Sequence, residues 1–266
     1  MTFWDFSKNN SIITSMDSTW AHILSICEQL SNTTYENLTK IIRFSKANSA
    51  SQARKLDDSF QNDLDYWMGG GTCFSMTWHL YQQLEKLNLS PRLLMGHKRK
   101  ELNIHCALLL SYQNKTFLFD PGYLIFDPLE IPEPAPIGTG ISFFPLIPNT
   151  VQIQNNGSIL SLFTGSVQSP LKLRFEFSLS GVDILEFQKH WTESFHREMM
   201  TYPVLNRLDR KNGIQYYYQK GNLVTRKKEG SFIQKIEKEN QVSTLSNLFQ
   251  LTPEIVEEAL KIIEKR

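Results

Sequence analysis

The sequence predicts an α+β protein with a helical N-terminal third, a β-rich centre and a mixed α/β end. Three observations carry this. Apolar residues recur at helical spacing up to about residue 90, the period then falls to two with turn dipeptides between short runs, and helix-like and strand-like segments mix beyond residue 184. The expected division is a helical bundle over 1–90, a β-barrel over 91–184 and an α/β lid over 185–266. A chain of 266 residues with 41% hydrophobic content can bury a sizeable core. Lys+Arg 28 against Asp+Glu 27 leaves a formal net charge of +1, so no global electrostatic footprint for nucleic acid or an anionic membrane is present.

Within residues 19–30, Trp20, Ile23, Leu24, Cys27 and Leu30 share one helical face, with Asp17 or Ser18 as N-cap. His22 lies off that stripe and reads as exposed. Tyr35-Glu36-Asn37-Leu38 follows, then a polar stretch at 45–58 that reads as loop and weak helix. Phe60, Leu64 and Trp67 place a helix over 60–67, leading into Gly69-Gly70-Gly71. After Cys73, residues Thr77, Leu80, Tyr81, Leu84 and Leu87 form an apolar stripe that Asn88 and Pro91 stop. Residues 92–95, 104–112 and 115–120 read as strands, the last two joined by the two-residue turn Gln113-Asn114. Pro128, Pro132, Pro134 and Pro136, with Gly138 and Gly140 behind them, read as a crossing loop. Alternating runs at 151–154, 159–163 and 171–177 suggest a small barrel or sheet. Residues 185–199 read as helical, and 214–219 and 222–227 as a hairpin turning at Lys220-Gly221. Thr252 and Pro253 open a last helix, whose dipole Lys261, Lys265 and Arg266 balance at the other end.

Residues 1–8 lack a basic segment followed by an apolar run, and no stretch approaches the roughly 18 apolar residues of a membrane span, so a soluble cytoplasmic protein is expected. Cys27, Cys73 and Cys106 show no CxxC spacing, so neither a disulfide framework nor a metal site is expected.

Cys73 is the candidate nucleophile. The glycines before it, Gly70 and Gly71 above all, let backbone amides approach a substrate and hold an oxyanion. A helix starting at Cys73 points free N–H groups at the sulfur and favours thiolate over the ordinary thiol pKa of about 8.5. Such a cysteine needs a base and a group to orient it. The Gln113-Asn114 turn sets Ala107 opposite Asp120 and His105 opposite Gly122, which places His105 and Asp120 diagonally on one face, within about 8 Å. Gly122 leaves room for the imidazole. Cys106 falls on the other face and reads as a buried structural thiol. Tyr123 and Phe126, just beyond the aspartate, are candidates for a substrate pocket, and Arg226-Lys227-Lys228 is a local basic run. His79 reads as structural and His97 as part of an exposed basic loop; His190 and His196 receive no role.

These residues resemble those of the arylamine N-acetyltransferases across nearly the whole chain. Gly69-Gly70-Gly71-Thr72-Cys73 looks like the family's Arg-Gly-Gly-x-Cys, Tyr35-Glu36-Asn37-Leu38 like its Phe-Glu-Asn-Leu, and Asp120-Pro121-Gly122-Tyr123 like its Asp-x-Gly-Phe. The resemblance implies a cysteine-proteinase-like fold of helical bundle, β-barrel and α/β lid. It also implies a Cys73-His105-Asp120 triad that takes an acetyl group from acetyl-CoA and passes it to a small-molecule amine, without a metal. Departures are specific: Gly69 stands where the family has arginine and Ser75 where it has glutamate, so the ion pair implied there is missing. The family's Ser/Thr-Ser-Pro is matched only by Met200-Thr201-Tyr202-Pro203. The same Cys, His and Asp order is also similar to transglutaminase-like cysteine enzymes acting on a peptide or amide, and a catalytically silent binding protein of this fold is the third reading.

Overall fold

The computed structural model describes residues 17–56, 58–67, 69–136, 141–146, 149–166 and 169–265; the expectations placed on residues 1–8, Gly138, Gly140 and Arg266 lie outside these. Helix α1 (Ser18–Ser31) starts where Asp17 accepts a hydrogen bond from the Thr19 amide, and buries Ile23, Cys27 and Leu30 as the spacing predicts. After strand β1 (Tyr35–Glu36) comes α2 (Leu38–Lys46), which the sequence reading does not anticipate because Leu38, Ile41 and Ile42 make only a short apolar cluster. Helices α3 (Ser59–Trp67) and α4 (Cys73–Lys86) match expectation.

The central region is one antiparallel sheet curled into a half-barrel. Its strands are β2 (Arg92–Lys98), β3 (Glu101–Tyr112), β4 (Lys115–Asp120), β5 (Ile125–Glu130), β6 (Ile141–Leu146), β7 (Asn149–Asn155), β8 (Ile159–Ser166) and β9 (Ser169–Ser178), in the spatial order β5-β4-β3-β2-β9-β8-β7-β6. Gln113 and Asn114 both take positive φ, 48° and 63°, the signature of the tight hairpin turn, and Tyr112 pairs with Lys115 and Leu108 with Phe119. That register is the one the turn predicts. Strand β5 runs through Pro128, where a loop is expected. It sits at the sheet edge and pairs only with β4, so the missing N–H is tolerated.

Helix α5 (Ile184–Glu193) leads to β10 (Val204–Asp209), β11 (Ile214–Gln219), β12 (Asn222–Lys227) and β13 (Gly230–Lys235), followed by α6 (Lys238–Phe249) and α7 (Pro253–Glu264). The β11–β12 hairpin is as expected, while β10, β13 and α6 are additions. Strand β13 leaves Phe232 and Ile233 exposed and so lacks the alternation that marks a half-buried strand. The second sheet has the order β1-β10-β11-β12-β13, so a two-residue strand from the helical region forms one edge of the C-terminal sheet.

Three apolar cores follow. One joins α1 and α4 to the Cys106, Leu108 and Leu110 face of β3 and to α5. Another packs Leu38 and Ile42 of α2 against α6, α7 and the second sheet. The third lies under the opposite face of the half-barrel, with Ala107, Leu109, Leu118, Ile153 and Leu162. Among the described residues, no helix is long and apolar enough to cross a membrane.

Asn37 fastens the first region to the last. Fully buried, it donates through Nδ2 to the carbonyls of Met199 (2.5 Å) and Tyr202 (2.8 Å), and its Oδ1 accepts from the Val204 amide at 2.8 Å. An Asn37→Leu variant leaves these backbone groups without partners, at about 1–3 kcal/mol each. Urea unfolding should therefore show a loss of at least about 3 kcal/mol; a loss under about 1 kcal/mol would show that the staple is not structural.

Candidate active site

The glycine run is fixed by packing and hydrogen bonding. Gly71 has φ +72°, a conformation that side chains disfavour, and a Cβ there would stand 2.2 Å from Ser75 Oγ. A Cβ on Gly70 would meet the Thr34 carbonyl at 2.5 Å. The N–H groups of Gly69, Gly70 and Gly71 donate to Asp63 O, Thr34 O and Glu36 Oε1 at 3.3, 3.1 and 2.6 Å. The structure does not bring Gly70 and Gly71, expected at the substrate, to the cavity at Cys73: their donors are used inside the protein, and neither lines that cavity. The amides open to a ligand are those of the first turn of α4, which have no intrahelical acceptor.

Beneath the run lies a buried charge cluster. Glu36 accepts from Thr39 N (2.7 Å), Thr39 Oγ1 (2.6 Å) and Gly71 N (2.6 Å). Lys55 Nζ stands 2.9 Å from Asp63 Oδ2 and 3.8 Å from Glu36 Oε1. The supporting ion pair read as missing at Gly69 and Ser75 is thus supplied by other residues. A Cβ at Gly69 would fall 2.6 Å from Thr39 Cγ2, leaving no room for a larger side chain, and the Ser75 hydroxyl donates locally to the Thr72 carbonyl at 2.9 Å.

The triad candidates converge. Cys73 is the first residue of α4, with Thr72 in extended conformation as its N-cap. His105 Nε2 lies 2.8 Å from both Asp120 carboxylate oxygens, which leaves Nδ1 for the sulfur. Asp120 also accepts from the Tyr123 amide at 2.9 Å, because the chain folds into a 3-10 turn over Pro121–Tyr123. Gly122 is the close-approach point: a Cβ there would lie 2.4 Å from Cys73 Cβ and 3.2 Å from His105 Cε1. The imidazole stacks on Phe175, with ring centroids 4.1 Å apart.

Electrostatics follow from this packing. A hydrogen bond from the Cys106 thiol and interaction with the His105 imidazole hold the Cys73 thiol well below its ordinary range, against the opposing effect of burial, and Lys40 adds to them. Cys106, read as a buried structural thiol on the other face, is fully buried in the core it shares with Cys73, because α4 packs on that face, and its side chain hydrogen-bonds to Cys73. Burial alone would lower the His105 pKa, but the Asp120 carboxylate, with Cys73, lifts it to about 10. Burial raises Asp120, and its hydrogen bond to His105 opposes this. The lowered Cys73 thiol and the raised His105 imidazole both favour a thiolate beside a charged ring.

The cavity at Cys73, about 300 Å³, is lined by His105, Tyr123, Phe175 and Lys40 among others. Tyr123 is where expected. Phe126 is not: it is 5% exposed in the core with α1 and α4 and does not line the cavity. Lys40 is an addition from the unanticipated α2. It is buried, donates to Ser194 Oγ at 2.6 Å, lies 4.5 Å over the Phe195 ring, and burial brings its pKa down to about 7. His79 is structural as read: it stacks on Phe60 at 4.2 Å, and burial lowers its pKa to about 4. His97 is half-buried, not exposed, and accepts from the Asn103 amide at 3.2 Å. Of the basic run, Lys227 and Lys228 are exposed while Arg226 turns inward over Tyr217. Among the described residues no cluster of metal-ligating side chains occurs.

Two predictions follow from this geometry. Alkylation of Cys73 by iodoacetamide should keep its rate at pH values well below the ordinary thiol value of about 8.5, because the thiolate is the reactive form. His105→Asn should move the acid limb upward, and an unmoved limb would exclude the ion pair. Separately, Lys55→Met removes the cation between the buried Asp63 and Glu36 carboxylates, leaving Asp63 only Arg43 at 3.9 Å, and chemical denaturation should register a loss of about 3–5 kcal/mol; a neutral result would show that Lys55 does not balance them.

No protein-family model matches the sequence, and no curated protein sequence matches it. Solved structures do. The chain superposes on the arylamine N-acetyltransferase of Nocardia farcinica with a TM-score of 0.68 at 14% identity, over 92% of this chain and 93% of that one. For the Mycobacterium marinum enzyme in complex with CoA the values are 0.70, 17%, 90% and 91%. A Bacillus cereus arylamine N-acetyltransferase with a Cys-His-Glu catalytic triad gives 0.61 and 16%, over 89% of this chain and all of that one. With helices first, a curled antiparallel half-barrel next and strands and helices last, the chain has the fold of the arylamine N-acetyltransferases.

Proposed function

We propose that the protein is an acyltransferase that takes an acetyl group from acetyl-CoA onto Cys73 and passes it to a small-molecule amine. The observation that carries this is the meeting of Cys73, at the start of a helix, with a buried His105–Asp120 pair at 2.8 Å on one cavity. The fold adds support, since a structural relative of 90% coverage is described in complex with CoA.

In this reading the Cys73 thiolate attacks the thioester carbonyl. The amides of the first α4 turn face the developing oxyanion, where a single donor is worth roughly 10² or more in rate. Coenzyme A leaves as the thiol, taking the proton that His105 carries. The amine then attacks the acetyl-cysteine, and His105 accepts its proton as the new amide bond forms and the thiolate is released. Asp120 holds the imidazole in one orientation and stabilises its charged form. Tyr123 and Phe175 flank the ring and offer an aromatic wall to the acceptor.

Incubation with acetyl-CoA followed by intact-mass measurement should show one added acetyl group on the wild type, none on Cys73→Ala, and discharge on adding an amine. His105→Ala should slow acetylation by orders of magnitude. A wild type that stays unmodified would refute the reading.

A further inference from the structure

Beside the cavity at Cys73 lies a second, about 320 Å³, and Tyr123, Asn206 and Tyr217 line both. Two arginines line it, one from each sheet: Arg174 on β9 and Arg226 on β12. Arg174 Nε donates to Thr164 Oγ1 at 2.6 Å, which holds the guanidinium in place, and among the described residues its terminal nitrogens have no side-chain partner. Arg226 Nη1 donates to Gln215 Oε1 at 3.2 Å, and its Cζ lies 5.3 Å over the Tyr217 ring. Among the described residues neither forms an ion pair with a carboxylate and no Asp or Glu lines this cavity. Half-buried guanidinium groups that share a cavity without a counter-charge repel each other. An anion between them removes that cost and gains charge-assisted hydrogen bonds in forked geometry.

The reach from this pair to the reacting sulfur is set by one side chain. The Tyr123 ring lies 6.2 Å from the His105 ring, and its hydroxyl is 3.3 Å from the same Thr164 oxygen that holds Arg174. A ligand about as long as a tyrosine side chain thus spans the distance from His105 to Arg174.

We propose that Arg174 and Arg226 form a subsite for an oxyanion carried by a substrate whose reacting end lies at Cys73. The oxyanion is either a carboxylate on the amine acceptor or a phosphate of the thioester donor. The inference rests on the acyl-transfer reading and deepens it by naming the residues that would hold the anionic group of the donor or of the acceptor.

Calorimetric titration of the full-length protein separates the two sources. Coenzyme A probes the phosphate, 4-aminobenzoate the carboxylate, and 4-aminobenzamide serves as the uncharged match to the latter. In Arg174→Gln, Arg226→Gln and the double variant, affinity for at least one anionic probe should fall tenfold or more, while 4-aminobenzamide binding stays unchanged. Loss confined to coenzyme A assigns the donor phosphate, and loss confined to 4-aminobenzoate assigns the acceptor carboxylate. Equal binding by wild type and double variant, or no binding of either anion by wild type, overturns the subsite. Arg226→Lys, with an unaltered melting temperature, should retain part of the affinity, which separates charge recognition from damage to the fold. Titration needs no turnover, so acetylation of Cys73 remains readable by mass whichever way the subsite result falls.

Discussion

A helix start and a strand end can share one point in this protein only because residue 122 has no side chain. The ideal Cβ at Gly122 would overlap Cys73 Cβ at 2.4 Å, so any larger residue pushes α4 away from the β3–β4 hairpin. Everything chemical depends on that approach. The sulfur meets the imidazole there, the imidazole meets Asp120, and the Pro121–Tyr123 turn that carries Gly122 also sends the Tyr123 amide back to the Asp120 carboxylate. Backbone geometry and charge placement are in this way the same feature.

A second constraint holds α4 from behind. Glu36 is fully buried and accepts three hydrogen bonds, one of them from the glycine run, while Lys55 stands as the cation between it and Asp63. The glycines are thus tied to the protein, and their contribution is position: they bring Thr72 and Cys73 to the cavity at a fixed angle. Asn37, the next residue after Glu36, ties the same segment to the C-terminal region through Met199, Tyr202 and Val204. The Glu36-Asn37 pair therefore couples the helix that starts at Cys73 to the C-terminal sheet.

Local patterns made much of this legible in the sequence. The Gln113-Asn114 turn fixes the β3–β4 register, and that register brings His105 and Asp120 together without any tertiary information. The apolar stripe after Cys73 marks α4 and its starting residue. What escaped was non-local. The Glu36, Lys55, Asp63 and Gly71 cluster draws on four separate segments, and no spacing in the chain announces it. Lys40 sits on a helix whose apolar face covers barely one turn, and the contact of Cys106 with Cys73 depends on which face of β3 receives α4. Phe126 illustrates the limit in the other direction: an aromatic beside the aspartate fits a pocket wall or a core equally well by sequence, and packing with α1 and α4 places it in the core.

The central claim is that the acyl group rests on the protein between two half-reactions, because a thiolate held by His105 is the nucleophile toward the donor and a leaving group toward the amine. Initial-rate kinetics with acetyl-CoA and an arylamine both varied test this most directly. The account predicts parallel double-reciprocal lines, the pattern of a covalent intermediate formed before the second substrate acts. Intersecting lines, which require both substrates bound together before any chemistry, would contradict it.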